Sequence, residues 1–175
     1  MASIDRVLRP LRRGLAHLVS RSVVTLVNDA AKMQALQVKL LAEETLDGIE
    51  HWQPYGFTAH PLPGAEALVL AVGGHRAHSV VVSCGDRRFR LTALEPGEVA
   101  IYTDEGDKLH FKRGNAIEVE TRVFTVKASE AAHFETPLIT TTGRIESAGD
   151  QVAAGISLTG HKHPGDSGGT TGGPQ

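Results

Sequence analysis

The chain has 175 residues, a formal net charge of -2 and 41% hydrophobic residues, enough for one or two small packed domains. Aromatics make up only 5%, which argues against a stacking-based RNA reader, and the apolar content excludes a disordered charged tail. Cys84 is the sole cysteine, so the sequence offers neither an intrachain disulfide nor a CxxC zinc or redox motif.

The first 21 residues carry Arg6, Arg9, Arg12, Arg13 and Arg21 against one acid, Asp5. Ile4, Val7, Leu8, Leu11, Leu15, Leu18 and Val19 recur at helical spacing, with Pro10 suited to a first helical position. A basic amphipathic helix serves membranes, transit peptides or partner proteins, and docking on a partner is the reading adopted here. His17 and Arg21 interrupt the only apolar stretch that a secretory signal would use. The longest apolar run, Ala67 to Val72, has six residues, against the roughly 20 that a membrane helix needs.

From Ser22 to Gly114 the pattern predicts short strands. Val23 to Val27 is rich in β-branched residues, and Leu36, Val38 and Leu40 alternate with Gln37 and Lys39, the period of a half-buried strand. Ala67 to Val72, Ser79 to Ser83, Phe89 to Thr92 and Val99 to Thr103 continue the series. Turn signals fall at Asp47-Gly48, Pro63-Gly64, Gly73-Gly74, Cys84-Gly85-Asp86, Pro96-Gly97 and Glu105-Gly106-Asp107. Such spacing predicts a small β-barrel of the OB type.

Beyond Gly114, Ile117, Val119, Thr121 and Val123 alternate with Glu118, Glu120 and Arg122, and then Phe124, Val126 and Ala128 take over the apolar positions. Phe134, Ile145 and Ile156 follow 11 residues apart, in the manner of a β-solenoid whose thin turns make no core alone. In a monomer those strands would expose long unpaired edges. Pairing between identical chains removes the hazard, and threefold symmetry is one closed solution. Nine of the 19 glycines lie between Gly143 and Gly173, an unusual ending for an enzyme core.

Three groups of residues are candidates for chemistry. His161 and His163 sit two apart, so an extended strand points both imidazoles the same way, and imidazole suits first-row metals. Two ligands make a poor site, but three chains supply six, an octahedral cage with no open position and therefore a structural role. The same pair also fits solvated turn histidines. Ile156 and Leu158 have the opposite parity, so if they face the axis the histidines face outward unless the strand slips by one residue, a break that Gly160 could provide. Gly165-Asp166-Ser167-Gly168-Gly169 reproduces the nucleophile signature of chymotrypsin-like proteases, yet Ser167 lies eight residues from the end and His133 only 34 residues upstream; that triad needs far more chain. Arg87, Arg88 and Arg90 hold one aromatic, Phe89, and a nucleic-acid site needs a wider basic surface. His75 and His78 read as turn residues. A hydrolase using Ser167 and an OB-type nucleic-acid or ligand-binding module are the alternatives to a structural role.

The string Gly155 to Gly169, GISLTGHKHPGDSGG, resembles the tip segment of central spike proteins from contractile phage tails, the baseplate assembly protein V family, in its Mu-type branch. Tyr55 to Ala67 and Gly97 to Asp107 match independently. The resemblance implies a mainly β homotrimer: a basic attachment segment over 1–21, an OB-type barrel over 22–113, an intertwined triple-stranded β-helical needle over 114–160, and a tip and glycine-rich tail over 161–175. It implies that His161 and His163 of three chains hold one iron ion through six histidine ligands. Calcium and chloride on the axis belong to the same expectation, with no ligands assigned, and no catalytic residue is implied. The expected place is the virion tail baseplate, after assembly in the host cytoplasm. The expected partners are tail hub proteins, through Arg12, Arg13 and the barrel, and the host outer membrane, pierced on tail contraction for genome ejection. Neither nucleic acid nor a small-molecule substrate is expected. The tail after His163, Pro164 to Gln175, is expected to fold back against the needle or to sheath its point.

Overall fold

The structure, a computed structural model, describes Leu8 and residues 18–40 and 44–173. It divides into two units, residues 1–125 and 126–175. Arg12 and Arg13 lie outside the described residues. Val19 to Arg21, which the helical spacing would have included or followed closely, instead begin a strand.

The first unit opens with β1 (Val19–Asn28), β2 (Ala35–Leu40), β3 (Thr45–His51), β4 (Glu66–Ala71) and β5 (Ser79–Gly85). They close into a barrel in the order β1-β2-β3-β5-β4, with β3 and β5 parallel and every other pair antiparallel. Alternation fills the inside as the sequence predicts. Leu36, Val38 and Leu40 point in with Val24, Ile49, Val69 and Val81, while Lys39 points out. Ala65, Ala67 and Ala71 also face the core, where small side chains suit a narrow interior. Three register shifts bend the strands into closure: Thr25 on β1, the Asp47-Gly48 region on β3 and Val82 on β5. Each adds a residue against its partner and sharpens the local twist.

Asp47-Gly48 is therefore a correction. The pair signals a turn in sequence, but it forms a bulge inside β3, with Gly48 at φ 65° in the left-handed region that glycine tolerates. A second correction concerns Phe89 to Thr92, predicted as a strand. Asp86 accepts the Arg88 backbone N–H (3.0 Å) and the Phe89 N–H reaches the Asp86 carbonyl (3.3 Å), so the chain turns there and runs on without regular structure. An Asx turn diverts residues whose composition suits a strand.

At one end of the barrel a buried polar network ties three loops together. His51 Nδ1 donates to Gln34 Oε1 (2.7 Å), and Gln34 Nε2 donates to Asp29 (2.7 Å) and to the Ala59 carbonyl (3.1 Å). Gln53 clamps Ala59 from both sides, accepting its N–H (2.6 Å) and donating to its carbonyl (3.1 Å). The loop so held presents Trp52, Tyr55 and Phe57 to the outside, Tyr55 completely. Cys84, unpaired and half-buried, has its thiol pushed up to about 11 by burial and stays protonated.

The remainder of the first unit is a meander of β6 (Val99–Tyr102), β7 (Lys108–Lys112) and β8 (Ala116–Glu120). Its two faces differ sharply. Lys108 bridges Glu118 and Glu120, and Lys112 bridges Glu118. Glu98 accepts from the backbones of Arg113 and Glu95 (3.0 Å each) and from His110 (3.1 Å). The opposite face is an apolar grid set by register: Val99, Phe111 and Ile117 in one row, Ile101, Leu109 and Val119 in the next. Five of these six side chains are exposed, and Leu109 is partly covered.

In the second unit, residues 126–151 form no strand. Short side chains bend the backbone at intervals instead: Thr136, Thr141 and Ser147 each donate to the carbonyl two residues on. The apolar landmarks of this segment find no cover within one chain, Phe134 being 74% exposed and Ile145 66%. β9 (Val152–Ala153) and β10 (Ile156–Ser157) then form a small hairpin. Ala154 (φ 50°) and Gly155 (φ 81°) make its turn, both left-handed as a type I′ turn requires.

Candidate metal centre

The residues that lead into the histidine pair are set by Ser157. Its carbonyl accepts the His161 backbone N–H (3.2 Å), and its hydroxyl accepts the Gly160 N–H (2.7 Å). A tight turn over Leu158–Gly160 therefore follows β10 directly. This is the break that the parity conflict between Ile156, Leu158 and the histidines demands, and it falls at Gly160 as the sequence suggests. A Cβ on Gly160 would stand 3.0 Å from the Ser157 hydroxyl, so a side chain there would crowd the bond that closes the turn.

His161 is partly buried, and its Nδ1 lies 2.8 Å from the Ser157 carbonyl. His163 is exposed; its backbone donates to the Thr171 hydroxyl (2.9 Å), and the Thr171 N–H returns to the His163 carbonyl (2.9 Å). The two rings meet edge to face, centroids 5.1 Å apart and planes at 88°. The turn and the hairpin thus bring the two imidazoles side by side, each anchored through a different neighbour.

The tail closes on the pair. Pro164 bridges Thr170, and the Gly165 N–H donates to the Gly169 carbonyl (2.7 Å) around the turn at Asp166 to Gly168. Gly173 comes back beside the Thr159 carbonyl. The described part of the tail thus lies against the residues around the histidine pair. Thr171, Asp150 and Ser157 support the pair and were missed by motif reading. The signal lay in Ser157-x-x-Gly160-His161, since a serine beside a glycine turn bonds the local backbone.

The donor set fits a first-row metal. Both ligands are neutral-capable imidazoles, and the carbonyl partner of His161 leaves its Nε2 lone pair for an ion. Among the described residues, no cluster of three or more His, Cys, Asp or Glu side chains stands ready for a metal. Within one chain the pair offers two imidazoles to an ion and no more.

The other candidates are not assembled for their chemistry. The Ser167 hydroxyl donates to the adjacent Asp166 carboxylate (3.2 Å) at the tip of the tail turn, and His133 lies in the extended segment before β9. Arg87 pairs with Glu66 (2.7 Å). Arg88 pairs with Asp86 (2.5 Å) and lies over the Phe89 ring (5.2 Å). These ion pairs hold the turn and spend charge that a phosphate backbone would use. His75 and His78 sit at two single-turn 3-10 helices over Val72–Gly74 and Arg76–His78.

Comparison with known proteins gives two local matches. Residues 21–88 match the family model "Bacteriophage Mu Gp45, N-terminal", and residues 155–175 match the "GpV Apex motif". The baseplate puncturing device gp45 of Escherichia phage Mu is 38% identical over 98% of this chain and 95% of its own length. The Mu-like prophage FluMu protein gp45 of Haemophilus influenzae is 36% identical over 93% of this chain and 95% of its own length. With a closed barrel in the first matched region and the histidine hairpin in the second, the chain belongs to the phage Mu gp45 family, whose namesake is a baseplate puncturing device.

Proposed function

We propose that this chain is the central spike of a contractile phage tail, a structural component of the virion baseplate that pierces the host outer membrane when the tail contracts and so opens the way for genome ejection. The observation that carries this reading is uncovered apolar surface: five of the six side chains of the grid on β6–β8, and Val123, Phe124, Val126, Phe134, Leu138 and Ile145, are exposed within one chain. A surface of that extent marks an interface, and it lies in a chain that spans nearly the whole length of a puncturing device. Three copies winding about one axis bury the grid and pair the free edges of β6 and β8, giving an intertwined triple-stranded β-helical needle. The closed five-stranded barrel, read as an OB-type module, attaches the spike to the tail hub. Its support for that role is the braced loop carrying Trp52, Tyr55 and Phe57, side chains of the type enriched at interface centres.

At the apex, His161 and His163 of each copy hold one metal ion, iron by the family resemblance. The ion supplies a cross-link between chains where the cross-section leaves no room for a core. The residues of this chain aim the imidazoles and close the tail over them, and none performs turnover: the spike acts mechanically, not as an enzyme. Light scattering with elemental analysis on one sample tests the reading. A trimer with one metal per three chains is expected; a monomer, or one metal per chain, refutes it.

A further inference from the structure

The His161 ring is oriented by a chain of bonds that the His-x-His pair does not contain. The Asp150 carboxylate accepts the Thr159 N–H (3.1 Å), which braces the turn that follows Ser157. The Ser157 hydroxyl accepts from Gly160 (2.7 Å), and the Ser157 carbonyl receives His161 through both its backbone N–H (3.2 Å) and its Nδ1 (2.8 Å). A carbonyl oxygen only accepts, so Nδ1 carries the proton. A neutral imidazole has one such proton, and Nε2 is left as a lone pair. Leu158 donates to the Gln151 carbonyl (2.9 Å), which fastens the segment bearing Asp150 to the turn bearing the ring.

We propose that Ser157, in a turn that Asp150 braces through Thr159, is a positioning residue of the metal centre: it fixes His161 in the Nδ1–H tautomer and presents Nε2 as the ligand before any metal arrives. The inference rests on the metal reading above but is separable from it, because the tautomer exists in the metal-free protein. Partners of this kind set ring orientation and raise ligand basicity, and their loss typically weakens metal binding 10–100-fold. Among the described residues no hydrogen bond holds the His163 ring; its backbone alone is tied, through Thr171. Ser157 therefore makes His161 the preset member of the pair and leaves His163 to complete the site.

The test uses the full-length protein. In the metal-free form, long-range nitrogen–proton correlation spectra read the His161 tautomer; after loading with ferrous iron, a chelator reads the release rate. Wild-type His161 is expected wholly as Nδ1–H. Ser157→Ala is expected to mix the tautomers and to speed iron release roughly tenfold, and Ser157→Thr, which keeps the hydroxyl, to restore both. Asp150→Ala, which leaves the Ser157–Gly160 bond in place, provides a second variant should Ser157→Ala not fold, with the same direction and a smaller effect. An unchanged tautomer and release rate in the variant that folds overturns the proposal. If the wild type takes up no iron, the metal reading fails, and the tautomer spectra still decide whether Ser157 positions His161.

Discussion

β2 and β8 carry the same kind of sequence and meet opposite fates. In β2, Leu36, Val38 and Leu40 alternate with polar residues and are buried. In β8, Ile117 and Val119 alternate with Glu118 and Glu120, and every residue is exposed. The period of two fixes which face is apolar in both strands. What differs is closure. β2 sits in a sheet that returns to its own first strand, so its apolar face meets other apolar faces of the same chain. β8 ends a three-stranded sheet with nothing folded over it. Alternation thus identifies an interface without saying which molecule covers it.

That contrast can be broken in several places, beginning with the largest effect. Val119→Asp together with Phe124→Asp places charges on the uncovered face, and the expected outcome is loss of the trimer to a monomeric mass by light scattering, with the thermal transition of the barrel retained. Leu36→Ala acts on the other side: Leu36 is 1% exposed, so its truncation should cost the barrel about 2–5 kcal/mol in urea titrations, while the metal per trimer stays unchanged below the transition. His161→Ala with His163→Ala should remove the metal from the elemental analysis and leave barrel melting unaltered. Tyr55→Ala with Phe57→Ala should weaken co-purification with the tail hub by on the order of tenfold or more, as for interface anchors, with trimer mass intact. A wild-type mass of one chain would remove the contrast altogether.

Acid separates the two regions further. Burial holds His51 below its ordinary 6.5, so the unfolded chain takes up the proton first. The barrel's stability from this group is complete above about pH 6.5 and declines as the pH falls through the lowered value. Asp150 is held below its ordinary 3.8 by the Ser157 hydroxyl and then the Thr159 N–H. Its contribution to the hairpin is complete above that value and is lost only as the pH falls through the depressed one. Melting curves near pH 5 and pH 3 should therefore show the barrel weakening first and the hairpin later; the reverse order would contradict the assignment of His51 as buried and neutral.

How much of this could be read in advance depended on locality. Leu36, Val38 and Leu40 declared their strand, because burial on one face leaves a period that neighbours cannot disguise. β3 stayed hidden because Asp47-Gly48 is a turn pair in most settings, and only the register against β2 makes it a bulge. Phe89 to Thr92 misled for the converse reason: strand-forming residues were captured by the Asp86 side chain a few positions upstream. At the tip, the His-x-His spacing and the need for a break at Gly160 were both visible. Ser157 and Asp150 were not, since their part depends on a hairpin bringing Asp150 back to Thr159 across nine residues. Side chains that contribute chemistry leave a motif, while those that aim them leave little beyond a serine near a glycine.

The closed barrel has a consequence for how the three chains of the proposed spike would find one another. Its five strands precede the uncovered segments in the chain, and amino-terminal domains generally fold first during synthesis. A barrel completed early presents no open sheet edge, so neighbouring nascent chains have no barrel strand to exchange. In the proposed spike, assembly would then be a concentration-dependent step between already folded heads, with misregistration confined to the later segments, which carry the free edges of β6 and β8 and the bends at Thr136, Thr141 and Ser147.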